Sequence, residues 1–342
     1  MKKKILITGG SGFIGTNLVN YLSNKGYNIT NLDKISYAST PEIFKKNVKR
    51  QNYRFLKIDL ANKNKVLKIF KKIKPNIIIN LAAETHVDRS IDNSDEFIKS
   101  NILGTYNLIN IINKTLSRKE IKKLKFIHIS TDEVYGSNKL SPSKENDQYN
   151  PSSPYSASKA SANHLVKSFG ITFNIPITIL NFCNNYGPYQ FPEKFIPTVI
   201  INALKKKVIP IYGNGKNIRE WIFVEDCCKA IESTFSKVKF GNEYNIGSGY
   251  RTDNLTIAKM ICKLLGKVEK YDFKKLIRYV KDRPGHDFRY ALNSSKFKNK
   301  TKWKPKTSIE NGLKETINWY IKNKKWFKYT QKKYSGSRLG KI

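Results

Sequence analysis

The chain has 342 residues, 39% of them hydrophobic, with 18 Phe, 19 Tyr and 4 Trp. That length and apolar content suit one large domain or two ordinary ones, and exclude a mainly disordered chain or an array of short repeats. The formal net charge of +38 raises the question of a polyanion partner, but the lysines fall in short scattered groups such as Lys71-Lys72, Lys122-Lys123 and Lys205-Lys206-Lys207. No long basic arm or nucleic-acid motif accompanies them, so the charge reads as a solvated surface, and neither nucleic acid nor membrane is expected as a partner.

In chain order, Lys4 to Thr8 predicts a buried strand, followed by a glycine-rich turn. Phe13, Ile14, Leu18, Val19 and Leu22 then recur at helical spacing. Asn28 to Leu32 predicts a second strand, ending at Asp33, and Arg54 to Ile58 a third, ending at Asp59. A helix over Val66 to Ile73 stops before Pro75, and Asn76 to Leu81 is an apolar strand. Helical spacing returns over Phe97 to Ile112, a strand over Phe126 to Ser130, a helix over Ser156 to Phe169 and a strand over Ile177 to Asn181. Strands alternating with helices predict an α/β fold with a doubly wound parallel sheet. After about Asn184 the texture becomes richer in Pro, Gly and Asn, which predicts a smaller C-terminal α/β substrate-binding lobe. The expected division is residues 1–183 for the dinucleotide half, 184–330 mainly for the smaller lobe, and 331–342 for a polar tail. The strand at 177–181 returns to the sheet, so the lobes interleave.

Gly9, Gly12 and Gly15 form a G-x-x-G-x-x-G turn between the first strand and the first helix. Glycine permits the tight turn and lets backbone approach a pyrophosphate, while the helix N-terminus offers N–H groups to it. A glycine triplet alone is weak evidence. Here it sits between strand and helix, with Asp33 at the next strand end to bind ribose hydroxyls and repel a 2′-phosphate. The reading is a Rossmann-type NAD site, with NAD favoured over NADP. Asp59 is either an adenine-side contact or a loop cap.

Tyr155 and Lys159 are four residues apart at the start of a helix and share a face. A lysine charge there is expected to lower the tyrosine pKa and make a base for a hydroxyl proton. Ser130-Thr131-Asp132-Glu133-Val134-Tyr135-Gly136 follows a strand at the ligand-binding edge, and its two adjacent carboxyl groups can split into one acid and one base. Cys183, Cys227, Cys228 and Cys262 make no CxxC pair and no zinc spacing with the histidines, so no metal is expected and free thiols point to the cytoplasm. The glycines after Ile7 interrupt what superficially resembles a signal peptide, and no stretch approaches the ~18 apolar residues of a membrane span.

Taken together, the glycine turn and the Tyr155–Lys159 pair resemble the extended short-chain dehydrogenase/reductases. Over nearly its full length the sequence resembles the dTDP-glucose 4,6-dehydratase family. The matching stretches are Ile7 to Gly15, Leu81 to Ile91, Ser130 to Gly136, Pro151 to Ser161, Asn184 to Lys194 and Asp282 to Asp287. The resemblance implies that Tyr155 takes the C4 hydroxyl proton of the sugar while hydride passes to NAD, with Thr131 bonded to the C4 oxygen. It further implies that Glu133 removes the C5 proton, Asp132 protonates the departing C6 hydroxyl, and hydride returns to C6. Carried over on the cofactor side are Gly9, Gly12, Phe13, Ile14, Gly15, Asp33, Lys34, Asp59, Leu60, Leu81, Ala82, Ala83, Ser100, Tyr155, Lys159 and Asn185. For a nucleoside-diphosphate glucose substrate they are Thr85, Thr131, Asn184, Lys194, Phe195, Pro210, Tyr212, Arg219, Asn254, Arg283 and His286. A homodimer is implied, with the Phe97–Ile112 and Ser156–Phe169 helices in its interface.

The chain departs from the family pattern at Phe182-Cys183, before Asn184, and at Tyr250-Arg251, before Asn254. UDP-glucose as the substrate, a nucleotide-sugar epimerase, a decarboxylase and a non-catalytic NAD-binding protein are the competing readings. The epimerase and the decarboxylase have no need of Asp132 and Glu133 together.

Overall fold

The computed structural model describes residues 3–39, 51–138, 141–238 and 240–334. Lys45-Lys46, another of the short lysine groups scattered along the chain, and residues 335–342 of the expected tail lie outside the described residues. The leading unit is strand β1 (Lys4–Thr8), helix α1 (Phe13–Asn24) and strand β2 (Asn28–Asp33). Next come β3 (Tyr53–Lys57), α2 (Lys63–Ile73), β4 (Ile77–Asn80) and the short α3 (Val87–Asp92). Helix α4 (Gly104–Thr115), β5 (Lys125–Thr131), α5 (Pro154–Phe173) and β6 (Ile177–Phe182) complete the first run.

Among the described residues these strands belong to a seven-stranded sheet in the order β10-β6-β5-β4-β1-β2-β3, where β10 is Asn242–Ile246. Every pairing within it is parallel. The period-two alternation of β1 shows why: Ile5 and Ile7 enter the core under α1, whereas Leu6 enters the opposite core with Ile78, Phe126 and Leu108. Both faces are covered by helices, as a parallel sheet requires. β1 pairs with β2 on one side and β4 on the other, so strand order reverses there and a crevice opens at the carboxyl ends.

The smaller lobe has its own core, built on Ile196, Ile200, Ile211, Trp221, Ile257 and Leu313. It contains β7 (Asn184–Tyr186), α6 (Phe195–Leu204), β8 (Ile209–Tyr212) and β9 (Ile218–Phe223). β11 (Arg251–Asp253) pairs with β9, and β12 (Ile277–Val280) pairs in parallel with β8. Helix α7 (Val224–Lys237) packs on α1 and feeds β10 into the main sheet. The sheet therefore extends well beyond residue 183, because the apolar face of α1 needs α7 to cover it.

The segment expected as one helix over 97–112 is a π-helix at Ile98–Leu103 followed by α4. The extra residue per turn lets Ser100 reach the crevice while Asn101 turns toward Glu84, accepting its N–H at 2.8 Å. No described helix is long and apolar enough to cross a membrane.

Candidate active site

The crevice at the switch between β1 and β4 is a cavity of about 270 Å³. Its floor is the glycine turn. Gly9 has φ of 69°, and a Cβ there would lie 2.6 Å from the backbone nitrogen of Ala82. A Cβ on Gly15 would lie 2.2 Å from the carbonyl oxygen of Gly9. These two glycines are demanded by packing. Gly12 is different: its Cβ would meet only the Gly9 oxygen, at 3.5 Å, and it lines the cavity. Gly12 also caps α1 with no side-chain hydrogen bond, so its bare surface and the first-turn N–H groups form a cradle suited to pyrophosphate.

Asp33 ends β2 with one carboxylate oxygen accepting the Ser11 N–H at 2.9 Å and the other accepting the Ile35 N–H at 2.7 Å. Burial pushes its pKa up while those N–H bonds pull it down. Asp59 accepts the Ala61 N–H at 2.9 Å and also lines the cavity, so loop cap and ligand wall coincide in one side chain. Every residue expected on the cofactor side lines this cavity, Phe13, Ile14, Lys34, Leu60, Leu81, Ala82, Ala83, Ser100 and Asn185 included. The pattern of bare glycines, helix N-terminus and strand-end carboxylate fits a dinucleotide.

At the far end of the cavity lie Thr131, Asp132, Glu133, Tyr155 and Lys159. Thr131 ends β5 and caps a 3₁₀ turn, Asp132–Tyr135; its hydroxyl accepts the Glu133 N–H at 3.3 Å and donates to Asp132 Oδ1 at 3.2 Å. Tyr155 sits in the first turn of α5, which starts with a Ser153–Ser156 capping box and Pro154. Its backbone N–H is fixed by the Ser90 hydroxyl at 3.1 Å. Lys159 donates to the Ile129 carbonyl at 2.7 Å.

The expected lowering of the Tyr155 pKa does not hold. Burial drives it well above the usual tyrosine value, the Glu133 and Asp132 charges add to this, and only the Thr131 hydrogen bond opposes it. The same burial brings Lys159 down to about 7. Desolvation outweighs a lysine whose ammonium already faces a backbone carbonyl.

The two carboxyl groups differ. Asp132 is buried, its Oδ2 has no hydrogen-bond partner among the described residues, and its pKa is raised by burial and by Glu133 and Glu220. Glu133 is raised by burial, but Arg283, Lys194 and Arg219 all pull it down. The more strongly raised Asp132 suits an acid and the cation-facing Glu133 a base.

Thr85, Asn184 and Lys194 also line the cavity; the Lys194 ammonium donates to the Thr85 carbonyl at 2.5 Å. Phe195, Pro210, Tyr212, Arg219, Asn254, Arg283 and His286 are not among its lining residues. Several are tied together just beyond it. Arg283 pairs with Asp88 at 2.8 Å, and the Tyr212 hydroxyl donates to the other oxygen of Asp88 at 3.2 Å. His286 bonds Asp282 at 2.6 Å, and burial with the nearby Arg283 and Arg219 takes its pKa to about 4. Arg219 donates to the Asp287 carbonyl at 2.9 Å and lies 4.3 Å over the Tyr290 ring. Asn217 bonds the same Asp287 carbonyl, and its own carbonyl accepts the Asn254 N–H at 3.2 Å. Pro210 pairs with Arg278 in the β8–β12 ladder, whereas Phe195 stacks on Trp221 inside the lobe core.

Of the two departures, Phe182 and Cys183 line the cavity, and burial raises the Cys183 thiol, which makes it inert. Arg251 turns inward to Glu220 at 3.0 Å and the Leu292 carbonyl at 2.8 Å. Tyr37, Gln190, Phe191 and Glu193 line the cavity without having been expected there. The last three stand inside the Asn184–Lys194 stretch, and Tyr37 lies four residues after Asp33. No described group of His, Cys, Asp and Glu could hold a metal ion.

A doubly wound parallel sheet, a glycine cradle at its switch point and a Tyr–Lys pair on α5 define an extended short-chain dehydrogenase/reductase. Residues 6–316 match the family described as GDP-mannose 4,6 dehydratase. A dTDP-glucose 4,6-dehydratase of Escherichia coli is 42% identical, with 99% of each chain covered. One from Haemophilus influenzae is 43% identical, over 93% of this chain and 98% of the relative. Among solved structures, the Bacillus anthracis dTDP-glucose 4,6-dehydratase in complex with NAD has a TM-score of 0.84 at 39% identity, covering 96% of this chain and 99% of that one. The Streptomyces venezuelae dTDP-glucose 4,6-dehydratase with NAD and TYD bound has a TM-score of 0.88 at 33% identity, over 94% and 98%. The chain belongs to the dTDP-glucose 4,6-dehydratase family.

Proposed function

We propose that this protein dehydrates dTDP-glucose to dTDP-4-keto-6-deoxyglucose with NAD as a resident cofactor. The observation that carries the reading is the meeting, in one cavity, of the glycine cradle, Tyr155 and a carboxyl pair whose environments diverge. Bound NAD supplies a hydride acceptor for C4 and later a hydride donor for C6. Tyr155 takes the C4 hydroxyl proton as the phenolate, the form that the Thr131 hydrogen bond favours against the burial that raises its pKa. The C4 ketone acidifies the C5 proton, which Glu133 removes. Asp132, kept protonated by burial, gives its proton to the C6 hydroxyl, which leaves as water. Glu133 then returns a proton to C5.

On the substrate side, Thr85, Asn184 and Lys194 contact the sugar and pyrophosphate. Arg219, Arg283 and His286 hold the pyrophosphate and ribose, with Arg forks matching the phosphate geometry. Pro210, Tyr212, Phe195 and Asn254 shape the nucleotide end. The protein works in the cytoplasm, where its four buried free cysteines stay reduced. It works as a homodimer through the α4 and α5 faces, on which Tyr106 and Ile171 are exposed, next to the exposed Ile98 and Leu103 of the π-segment.

The test is incubation of purified protein with dTDP-glucose and UDP-glucose separately, followed by mass spectrometry. Loss of one water from dTDP-glucose, faster than from UDP-glucose and without net reduction of the cofactor, is expected. No mass change in folded, NAD-loaded protein would overturn the proposal.

A further inference from the structure

The segment after β7 runs from Pro188 to Lys194, and its residues Gln190, Phe191, Glu193 and Lys194 line the dinucleotide cavity. It is tied to the NAD half at both ends. At the first end the Asn17 side-chain amide of α1 donates to the Pro188 carbonyl at 3.0 Å. At the other end, Glu193 is the anchor. Its side chain is 1% exposed, and each carboxylate oxygen is taken by a different element. The Tyr37 hydroxyl, from the loop after β2, donates to Oε1 at 2.8 Å. Arg89 Nε, from α3, donates to Oε2 at 2.8 Å. The Arg89 guanidinium also lies 3.9 Å over the Tyr37 ring, and Phe191 meets that ring edge-on at 5.4 Å. The Glu193 carbonyl sits 3.3 Å from His86 Nε2, and Lys194 is bonded to Thr85 as described.

A strap is thus drawn across the cavity from α1, beside the glycine cradle, to the loop just past the ribose carboxylate Asp33. Of its far-end contacts, those of Glu193 with Tyr37 and Arg89 are made between side chains and centre on a buried carboxylate, with the Arg89 guanidinium partly exposed. Hydrogen bonds to an ionised, desolvated acceptor are the stronger kind. We propose that the Tyr37–Glu193–Arg89 cluster is a clasp that keeps the dinucleotide from leaving between turnovers. This rests on the NAD site of the proposed function. Glu193 and Arg89 act as positioning residues: they hold Tyr37 and the strap, and carry no step of the chemistry. A dehydratase that oxidises and then reduces its own substrate gains from such a clasp, because cofactor lost in mid-cycle strands a half-processed sugar.

The experiment uses the full chain and two variants, Glu193→Gln and Tyr37→Phe. Each is loaded with NAD, diluted and passed through a desalting column at timed intervals, and the retained NAD is released with acid and quantified. Glu193→Gln is expected to release NAD about tenfold faster than wild type, equivalent to a loss of about 1.4 kcal/mol. Tyr37→Phe, which keeps the ring under Arg89, is expected to change release in the same direction by less. In both, saturating NAD restores dehydration, a recovery that a general folding defect does not give. Wild-type release rates in both variants would overturn the clasp. So would lost turnover that saturating NAD fails to repair in folded protein. If Glu193→Gln does not fold, Tyr37→Phe decides alone. A wild-type protein that takes up NAD but leaves dTDP-glucose unchanged defeats the proposed function and not the clasp, since release is read without substrate.

Discussion

The cofactor half and the substrate lobe build their sites from different materials. Around the glycine cradle the groups on offer are backbone ones: the first-turn N–H groups of α1, the bare Cα of Gly12, and a wall of Leu81, Ala82 and Ala83. These are fixed by sheet pairing and need no partner to hold them. In the substrate lobe the groups are long charged side chains, and each is held by another: Arg283 by Asp88, His286 by Asp282, Arg219 by the Asp287 carbonyl. A site of the first kind is formed as soon as the sheet is formed. One of the second kind depends on such contacts, and the Arg283–Asp88 pair draws one partner from each half. Glu133 stands at the seam: burial raises its proton affinity, and the lobe cations Arg283, Lys194 and Arg219 pull it back down.

The sharpest break in that arrangement is at the seam itself. Asp132→Asn with Glu133→Gln is expected to keep both binding sites and lose elimination by more than about a thousandfold, since one general acid or base is typically worth ~10²–10⁴. Mass spectrometry of product reads the loss; normal turnover would remove the roles assigned here. The backbone-built half is tested by Gly12→Val against Gly15→Ala. The first places its side chain in the cavity without touching the packing, so the fold is expected to survive while NAD affinity falls on the order of a hundredfold, ~2.8 kcal/mol. The second drives a Cβ into the Gly9 carbonyl, and loss of soluble folded protein is expected. Calorimetric titration with NAD separates the two. Arg283→Gln tests the charge-built half: KM for dTDP-glucose is expected to rise about tenfold, with NAD retention unchanged. A fall in NAD retention instead would mean that the ion pair with Asp88 serves the cofactor half.

The same contrast explains what the sequence could reveal. Gly9, Gly12, Gly15 and Asp33 are legible because a strand, a turn and a helix adjacent in sequence are adjacent in space. Thr131, Asp132, Glu133, Tyr155 and Lys159 stand in short local runs at strand and helix ends, and these five meet in one cavity. The clasp was not legible, because Tyr37, Arg89 and Glu193 come from three distant segments, and the matching stretches that hold Arg89 and Glu193 do not show that the two meet. The entry of β10 into the main sheet was hidden for a related reason. It follows from the apolar face of α1 having to meet α7, which is a matter of packing. The direction of the Tyr155 pKa failed because spacing shows which charges are near and says nothing of how deep the phenol lies. The π-turn at Ile98–Leu103 leaves the helical hydrophobic pattern almost unchanged and shifts only which side chains face the crevice.

The smallest expected effect bears on the acid at the seam. Asp132 is buried and its pKa is raised, with burial first and the Glu133 and Glu220 charges next. A carboxyl group whose folded pKa lies above its unfolded value, about 4, favours the fold most fully below that value. That contribution is lost as pH rises through the folded pKa, because ionisation then occurs more readily in the unfolded chain. Asp132→Asn keeps the shape and removes the ionisation. Its stability relative to wild type is therefore expected to be near zero around pH 4 and to grow as pH rises from there through the folded pKa. Lys159 titrates in both proteins and largely cancels, while loss of the Asp132 charge also relieves Glu133, which adds in the same direction. Urea unfolding of the two proteins across that pH range measures the difference. A gap that stays flat would mean that Asp132 ionises as easily inside the protein as outside it, and would leave the seam without a protonated acid to give C6.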